Sequence, residues 1–217
     1  PEFENNGPRL GMEGDRAPLR ALLDVTHRHG ALLYVDDAHG AFATGPTGRG
    51  SPDVEGVAHG AMIYMATLGK ALGCQGVFVV GHAKLIQLVH NRARTFLYET
   101  AQAPPVVAAA LEGLRVVEEE PALRESLAGN VERLHQRLGP NLNHAPSHIM
   151  PIRLGSTQRA RRLAADLFEQ GIFAPAIRPP TVPEGTARLR LSLSALHTAA
   201  QIDRLVEVVR TWLSNQQ

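Results

Sequence analysis

Short apolar runs separated by polar segments mark the first half of the chain. Residues 31–35, 61–66 and 77–80 are continuous apolar runs, which are typical of strands buried in a parallel sheet. Before them, residues 15–29 carry leucines at helical spacing, with Gly30 after the end, and therefore predict a helix. This alternation predicts an α/β fold for the first half.

The pattern changes after Pro104 and Pro105. Two helices are predicted next, an apolar one at 106–117 and an amphipathic one at 122–138. A loop at 139–146 follows, and the remaining strands and helices are typical of a small α+β domain. They are predicted at 148–154 (strand), 158–170 (helix), 172–177 (strand), 187–194 (strand) and 199–212 (helix).

The same pattern predicts two domains with a boundary near residue 118. We assign 4–118 to a larger domain and 119–217 to a small C-terminal domain. Residues 1–3, with the sequence Pro-Glu-Phe, are interpreted as a cloning scar and left out of the fold.

Composition excludes several classes of protein. The chain is 44% hydrophobic and 20% charged with a net charge of +1, which favours a packed core and argues against nucleic-acid binding. Its apolar runs are shorter than the roughly 18 residues of a membrane span. Cys74 is the single cysteine, so we expect no disulfide and a cytoplasmic location. The histidine spacing indicates no metal site, and glycines 40–50 do not match a phosphate-binding loop.

Polar side chains follow two of the predicted strands. Asp36 and His39 come after the first apolar run, and Thr67 and Lys70 come after the second. Ligands of open α/β sheets bind at the carboxyl ends of strands, so these four side chains are candidates for a cofactor site. The Asp36 carboxylate could pair with a pyridinium nitrogen, and the Thr67 hydroxyl could donate to a phosphate. Desolvation at an apolar sheet would help the Lys70 amine to become neutral and so to react with a carbonyl group. The alternative is a loop carboxylate and a solvated lysine.

Two arginines share one face of a predicted strand near the C-terminus. Arg188 and Arg190 alternate along this strand, after a proline-rich turn that contains Thr181. A guanidinium binds a carboxylate through two hydrogen bonds, so Arg190 is a candidate for holding a substrate carboxylate. The alternative is an ordinary surface pair.

Taken together, these motifs resemble the α-oxoamine synthase family of fold-type I pyridoxal-phosphate enzymes. The resemblance covers nearly the whole chain and keeps the order and rough spacing of five segments. These segments are GMEGD at 11–15, VDDAHG at 35–40, GRG at 48–50, TLGKALG at 67–73 and AIRPPTVPEGTARLRLSL at 176–193.

The resemblance implies a role for each candidate residue. Lys70 would hold pyridoxal 5'-phosphate as a Schiff base and act as the base. Asp36 would pair with the pyridine nitrogen and His39 would contact the ring hydroxyl. Thr67 and Thr100 would bind phosphate. Thr181 and Arg190 would face the substrate, with Arg190 holding its carboxylate.

The resemblance also implies a reaction and its partners. The 176–193 segment is most similar to members that condense alanine with a pimeloyl thioester in biotin synthesis, with coenzyme A or a carrier protein as thiol. A glycine-using member that makes 2-amino-3-oxobutyrate, or a non-catalytic remnant of the fold, is the alternative. The expected assembly is a homodimer.

Three departures from the family pattern shape the expectations. Family members are roughly twice as long, so we expect this chain to be a C-terminal half with an incomplete sheet, inactive alone. Gly11 stands where the family usually has serine, and Glu99 stands next to Thr100 where a small polar residue is usual. A carboxylate near a phosphate would weaken binding.

Overall fold

A computed structural model describes residue 14 and residues 16–139 and 146–215 of the chain. These residues divide into two compact units. The N-terminal unit comprises residues 16–121, and the C-terminal unit comprises residues 122–215 with Gly14. The assignment of these units to the large and small domains of a family stays a prediction.

The N-terminal unit is built around a three-stranded sheet in the order β1-β2-β3. Strand β1 runs parallel to β2, with Val35 opposite Tyr64, and β3 runs antiparallel to β2. The elements, in chain order, are α1 Leu19–Arg28, β1 Tyr34–Asp36, α2 Ser51–Glu55, a 3-10 turn His59–Ala61, β2 Ile63–Thr67, β3 Val77–Val80, α3 Ala83–Arg92, α4 Arg94–Leu97 and α5 Pro104–Glu119.

One face of this sheet forms the small core of the N-terminal unit. Tyr64 and Ala66 alternate with half-buried residues along β2 and pack with Leu19 of α1 and Val35 of β1. The expectation that the third apolar run is a buried strand is wrong. In β3, Val77 is 64% exposed, because β3 has β2 as its one paired neighbour among the described residues.

The C-terminal unit surrounds an antiparallel three-stranded sheet in the order β4-β6-β5. One face of the central strand β6 presents Leu189 and Leu191 to a core that also takes leucines of α7 and valines of α8. The elements are α6 Pro121–Leu138, β4 Ile149–Gly155, α7 Thr157–Glu169, β5 Ala176–Ile177, β6 Ala187–Ser192 and α8 Ala199–Ser214.

Local sequence signals explain where several helices begin. Pro104 and Pro105 occupy the first turn of α5, where a missing N–H costs nothing. Ser156 caps α7, and Thr198 with Gln201 forms a capping box at α8. In Gly14, φ is +71° and a Cβ would lie 2.2 Å from the Ile149 carbonyl oxygen, so only glycine fits. The rest of the predicted 11–15 segment lies outside the described residues.

The structure corrects some predicted boundaries. Helices α2, α3 and α4 were not predicted. Of these, α2 and α4 are too short to show a clear helical period. The strand predicted at 172–177 is reduced to Ala176–Ile177, because Pro175 has no N–H for a ladder, although its carbonyl accepts from Arg190. Asp15, the predicted start of α1, and residues 140–145 of the predicted loop lie outside the described residues. Within the described ranges, no helix has both the length and the apolar content for crossing a bilayer.

Candidate active site

The parallel pairing of β1 and β2 brings two polar strand ends to one edge of the sheet. Asp36 is the last residue of β1 and lies opposite Met65, and Thr67 ends β2 two residues later. The carboxyl ends of parallel strands lie on the same side, so the turns with His39 and Lys70 leave from this edge. The sequence-based grouping of these four residues at one sheet edge therefore agrees with the topology.

The turn after β1 displays Asp36 and His39. Asp36 is exposed, and its Oδ1 accepts a hydrogen bond from the Ala38 N–H at 3.0 Å. This bond closes a small turn that aspartate commonly forms with the backbone two residues on. His39 is half-buried in the same turn. The charge of Asp36 also reaches Tyr34 on the same side of β1, where burial and this charge together raise the pKa of the tyrosine.

Hydrogen bonds across its base hold the turn that carries Lys70. The Thr67 hydroxyl donates to the Gly76 carbonyl at 3.0 Å and accepts from the Gly69 N–H at 3.1 Å. Backbone bonds from Leu68 to Gly76 and from Cys74 to Leu68 close the loop further. Since a hydroxyl has one proton, Thr67 would have to release Gly76 to donate to a phosphate.

Lys70 itself is exposed at the tip of this turn. The expectation that an apolar sheet desolvates its amine is therefore not met by the described part of the chain. Thr100 and Glu99 are also exposed, in the segment between α4 and α5. Their part in a phosphate site stays a prediction, as does that of Gly11, which lies outside the described residues.

A buried carboxylate next to Asp36 was missed by sequence reasoning. Asp37 is 2% exposed, and its carboxylate accepts hydrogen bonds from the Ser51 N–H and hydroxyl and from the Tyr64 hydroxyl. The signal for it was the Asp-Asp doublet. Successive residues at a strand end point to opposite sides, so one of the two carboxylates had to face inward.

The C-terminal unit holds the remaining candidates. Arg188 is 4% exposed and its Nε donates to the Thr186 carbonyl at 2.8 Å, so the alternative of a surface pair is wrong for this residue. Burial lowers the pKa of the Arg188 guanidinium. Arg190 is half-buried and lines a groove of about 590 Å³ together with Phe173, His197 and Arg204.

Thr181 is exposed in the proline-rich turn before β6. Its N–H donates to the Arg178 carbonyl at 3.0 Å, and the Pro179-Pro180 peptide bond in this turn is cis. Thr181 and Arg190 thus belong to one unit, whereas Asp36, His39, Thr67, Lys70 and Thr100 belong to the other. Over residues 14, 16–139 and 146–215, no group of three or more His, Cys, Asp or Glu side chains is placed to hold a metal ion.

Comparison with known proteins identifies the family. The family model of aminotransferase class I and II matches residues 10–209, and the chain belongs to this family. Its α/β architecture is the fold-type I arrangement, so the fold class predicted from the sequence is confirmed.

Similarity to a named relative is more specific than the match to the family model. The chain is 49% identical over 197 residues to the 8-amino-7-oxononanoate synthase of Anaeromyxobacter dehalogenans (strain 2CP-1), covering 89% of this chain and 50% of that protein. The predicted resemblance is thereby confirmed. The chain spans about half the length of the curated relatives it matches.

Two solved structures show the same likeness in three dimensions. A structure of serine palmitoyltransferase with a pyridoxal-phosphate internal aldimine has a TM-score of 0.87 and 31% identity, over 93% of this chain and 52% of that one. The 8-amino-7-oxononanoate synthase of Francisella tularensis has a TM-score of 0.82 and 27% identity, over 94% of this chain and 60% of that one.

Proposed function

We propose that the full-length protein, meaning the product of the complete reading frame that encodes this chain, is a pyridoxal-phosphate-dependent acyltransferase. It condenses alanine with a pimeloyl thioester, with release of the thiol and of carbon dioxide, and gives 8-amino-7-oxononanoate for biotin synthesis. The observation that carries the proposal is the common sheet edge from which Asp36, His39 and Lys70 emerge. The names of the relatives support the choice of substrates.

The side chains at this edge are of the types that fit pyridoxal phosphate. Its aldehyde reacts with a primary amine, which Lys70 presents from an exposed turn. Its ring nitrogen calls for a carboxylate, which Asp36 presents from an exposed strand end. His39 would contact the ring hydroxyl, and Thr67 and Thr100 would hold the phosphate.

Each residue then has a defined task. When bound, the cofactor supplies an electron-withdrawing ring that stabilises negative charge on the α-carbon of the amino acid. Asp36 would keep a proton on the ring nitrogen, and Lys70 Nζ would remove the α-proton of alanine. Arg190 would bind the alanine carboxylate through two hydrogen bonds, with Thr181 beside the substrate.

The proposal extends to the state of this chain alone. We expect it to bind the cofactor weakly and not to turn over, because it spans half the length of its relatives and Lys70 is exposed. A homodimer, an acyl-coenzyme A or acyl-carrier-protein substrate and a cytoplasmic location complete the proposal. The free thiol of Cys74 is consistent with a reducing compartment.

Lys70 and Lys84 are the two lysines of the chain, so the test has a matched control. Full-length protein mixed with pyridoxal phosphate should show the visible absorption of a cofactor bound to an amine. This absorption should disappear in Lys70→Ala and persist in Lys84→Ala, since Lys84 lies exposed in α3. Its persistence in Lys70→Ala would overturn the proposal.

Titration with amino acids separates the related reactions. Alanine should perturb the cofactor spectrum of the full-length protein at lower concentration than glycine or serine. A preference for glycine would favour the enzyme that makes 2-amino-3-oxobutyrate. A preference for serine would favour a reaction like that of the serine palmitoyltransferase neighbour. Failure to bind the cofactor would favour a non-catalytic protein that keeps the fold.

A further inference from the structure

Asp37 is a buried carboxylate to which the proposed chemistry gives no task. It is 2% exposed, directly follows Asp36 and precedes His39 by two residues. Burying a charged group is unfavourable unless hydrogen bonds compensate for the lost water. The surroundings of Asp37 therefore show what the fold gains by keeping a carboxylate there.

Three donors converge on the Asp37 carboxylate. Oδ2 accepts from the Ser51 N–H at 2.7 Å and from the Tyr64 hydroxyl at 2.9 Å, and Oδ1 accepts from the Ser51 hydroxyl at 2.6 Å. Burial raises the pKa of Asp37, while the bonds from Ser51 and Tyr64 and the charge of His59 oppose that rise. Burial beside Asp37 also raises the pKa of Tyr64, which keeps its hydroxyl a donor.

Hydrogen bonds fix the backbone of Asp37 as well as its side chain. Its N–H donates to the Met65 carbonyl at 2.9 Å, which extends the pairing of β1 with β2. Its carbonyl accepts from the N–H groups of Gly40 and Ala41, both at 3.0 Å, and so begins the turn that contains His39. Both candidate cofactor contacts, Asp36 and His39, thus flank a residue fixed at side chain and backbone.

Gly50, which directly precedes α2, leaves room for the Asp37 carboxylate. Gly50 precedes α2 with φ of +82°, and a Cβ at this position would lie 2.1 Å from Asp37 Oδ2 and 2.7 Å from the Tyr64 hydroxyl. Only glycine allows this approach. The GRG segment at 48–50 therefore serves to admit the Asp37 carboxylate to the start of α2.

We propose that Asp37 is a positioning residue that locks the turn after β1 to β2 and to the start of α2, so that Asp36 and His39 face the cofactor. Its role rests on the proposed function, because it acts through two residues of the proposed cofactor site. At metal sites, groups that orient a liganding side chain change affinity by roughly 10–100-fold when they are altered, and we expect an effect at the lower end of that range here.

Asp37→Asn in the full-length protein is the direct test. Asparagine keeps the shape but offers one acceptor oxygen where three donors converge. Asp53→Asn is the matched control, since Asp53 accepts from Thr47 and Arg49 in the neighbouring loop and has no bond to the turn of Asp36 among the described contacts. Ser51→Ala is a milder second variant, which removes only the hydroxyl bond.

Two readouts decide the outcome. The dissociation constant of pyridoxal phosphate, from absorbance titration, should rise about tenfold in Asp37→Asn, less in Ser51→Ala and negligibly in Asp53→Asn. Amide exchange at Ala38, whose N–H is bonded to Asp36, should accelerate in Asp37→Asn at unchanged exchange in α5. If both Asp37→Asn and Ser51→Ala bind the cofactor as tightly as the unaltered protein, or if Asp53→Asn weakens binding equally, the positioning role is wrong. If the unaltered protein does not bind the cofactor, the proposed function fails first.

Discussion

The two compact units differ in how completely they bury their apolar side chains. Among the residues that the structure describes, seventeen buried hydrophobic residues form the core of the C-terminal unit, whereas seven form that of the N-terminal unit. Of the exposed large hydrophobic side chains in the described part of the chain, all but Phe168, Phe173 and Leu196 belong to the N-terminal unit. The unit with Lys70 is therefore the less self-sufficient of the two.

The difference in core size affects how rigidly each unit holds the residues of the candidate site. Apolar burial is the main stabilising contribution to a fold, so a unit with a small core holds its turns less rigidly. Cofactor binding requires side chains fixed to within a fraction of an ångström. The C-terminal unit holds Arg190 on a packed strand, whereas Asp36 ends the short strand β1 and Lys70 lies in a turn. Both positions depend on local hydrogen bonds such as those of Asp37 and Thr67.

Matched leucine substitutions should show the largest effect of the difference. Leu19 of the N-terminal unit and Leu189 of the C-terminal unit are both 0% exposed. We expect Leu189→Ala to lower the free energy of unfolding by about 4 kcal/mol and Leu19→Ala by about 2 kcal/mol, because the smaller core can collapse more easily around a cavity. Urea unfolding measures both values, and a larger loss for Leu19→Ala would contradict the comparison.

The aromatic residues let each unit be followed separately in such experiments. Trp212, the single tryptophan, lies in the C-terminal core, and the three tyrosines, Tyr34, Tyr64 and Tyr98, all lie in the N-terminal unit. Tyrosine fluorescence should lose its native signal at lower urea than tryptophan fluorescence.

Two aspartates should give the units opposite responses to pH. Burial raises the pKa of Asp37, so its stabilising contribution is present below the unfolded pKa and is lost as pH rises through the folded pKa. The hydrogen bond from Arg133, together with the Arg133 and Arg137 charges, lowers the pKa of Asp203. The contribution of Asp203 is therefore present above the unfolded pKa and is lost as pH falls through the folded pKa.

Substitution by asparagine isolates each of these contributions. As pH rises from about 4 to 7, the destabilisation caused by Asp37→Asn should shrink, read by tyrosine fluorescence. As pH rises from below the unfolded pKa of Asp203 to neutrality, the destabilisation caused by Asp203→Asn should grow. Tryptophan fluorescence measures this change. If the destabilisation caused by Asp37→Asn instead grew with pH, as expected for Asp203→Asn, the hydrogen bonds to Asp37 would outweigh its burial and the predicted contrast would be wrong.

The smallest effect on stability is expected at the exposed strand of the N-terminal unit. Val77 of β3 is 64% exposed, so Val77→Lys should change the free energy of unfolding by no more than about 0.5 kcal/mol. An unpaired apolar strand edge favours association of copies, and a lysine there opposes it. Light scattering of this chain should therefore decrease in Val77→Lys, but not in the control Leu196→Lys, which alters an exposed leucine of the other unit.

Much of the fold could be predicted because apolar runs and helical spacing carry strong signals. The strands β1, β2 and β6 and the long helices α5 to α8 follow this pattern. The short helices α2 and α4 could not be predicted, since four or five residues show no period. Nor could the exposure of β3, because an apolar run does not say which strands lie beside it.

The residue types of the candidate site could be predicted, but the hydrogen bonds that hold these residues in place could not. Asp36, His39, Thr67 and Lys70 stand next to apolar runs, which the sequence displays directly. The Asp-Asp doublet indicates that one carboxylate faces inward, but the partners of Asp37, Ser51 and Tyr64, lie 14 and 27 positions away, and no local pattern marks those contacts. The donation of the Thr67 hydroxyl to Gly76 is a tertiary feature of the same kind.

The central claim is that Lys70, presented at the edge of the β1–β2 pair, is the amine that holds pyridoxal phosphate. Full-length protein incubated with the cofactor, reduced with borohydride and digested should carry the reduced adduct on the peptide with Lys70. The peptide with Lys84, the other lysine of this chain, should remain unmodified. An adduct on Lys84 with Lys70 left unmodified would contradict the account.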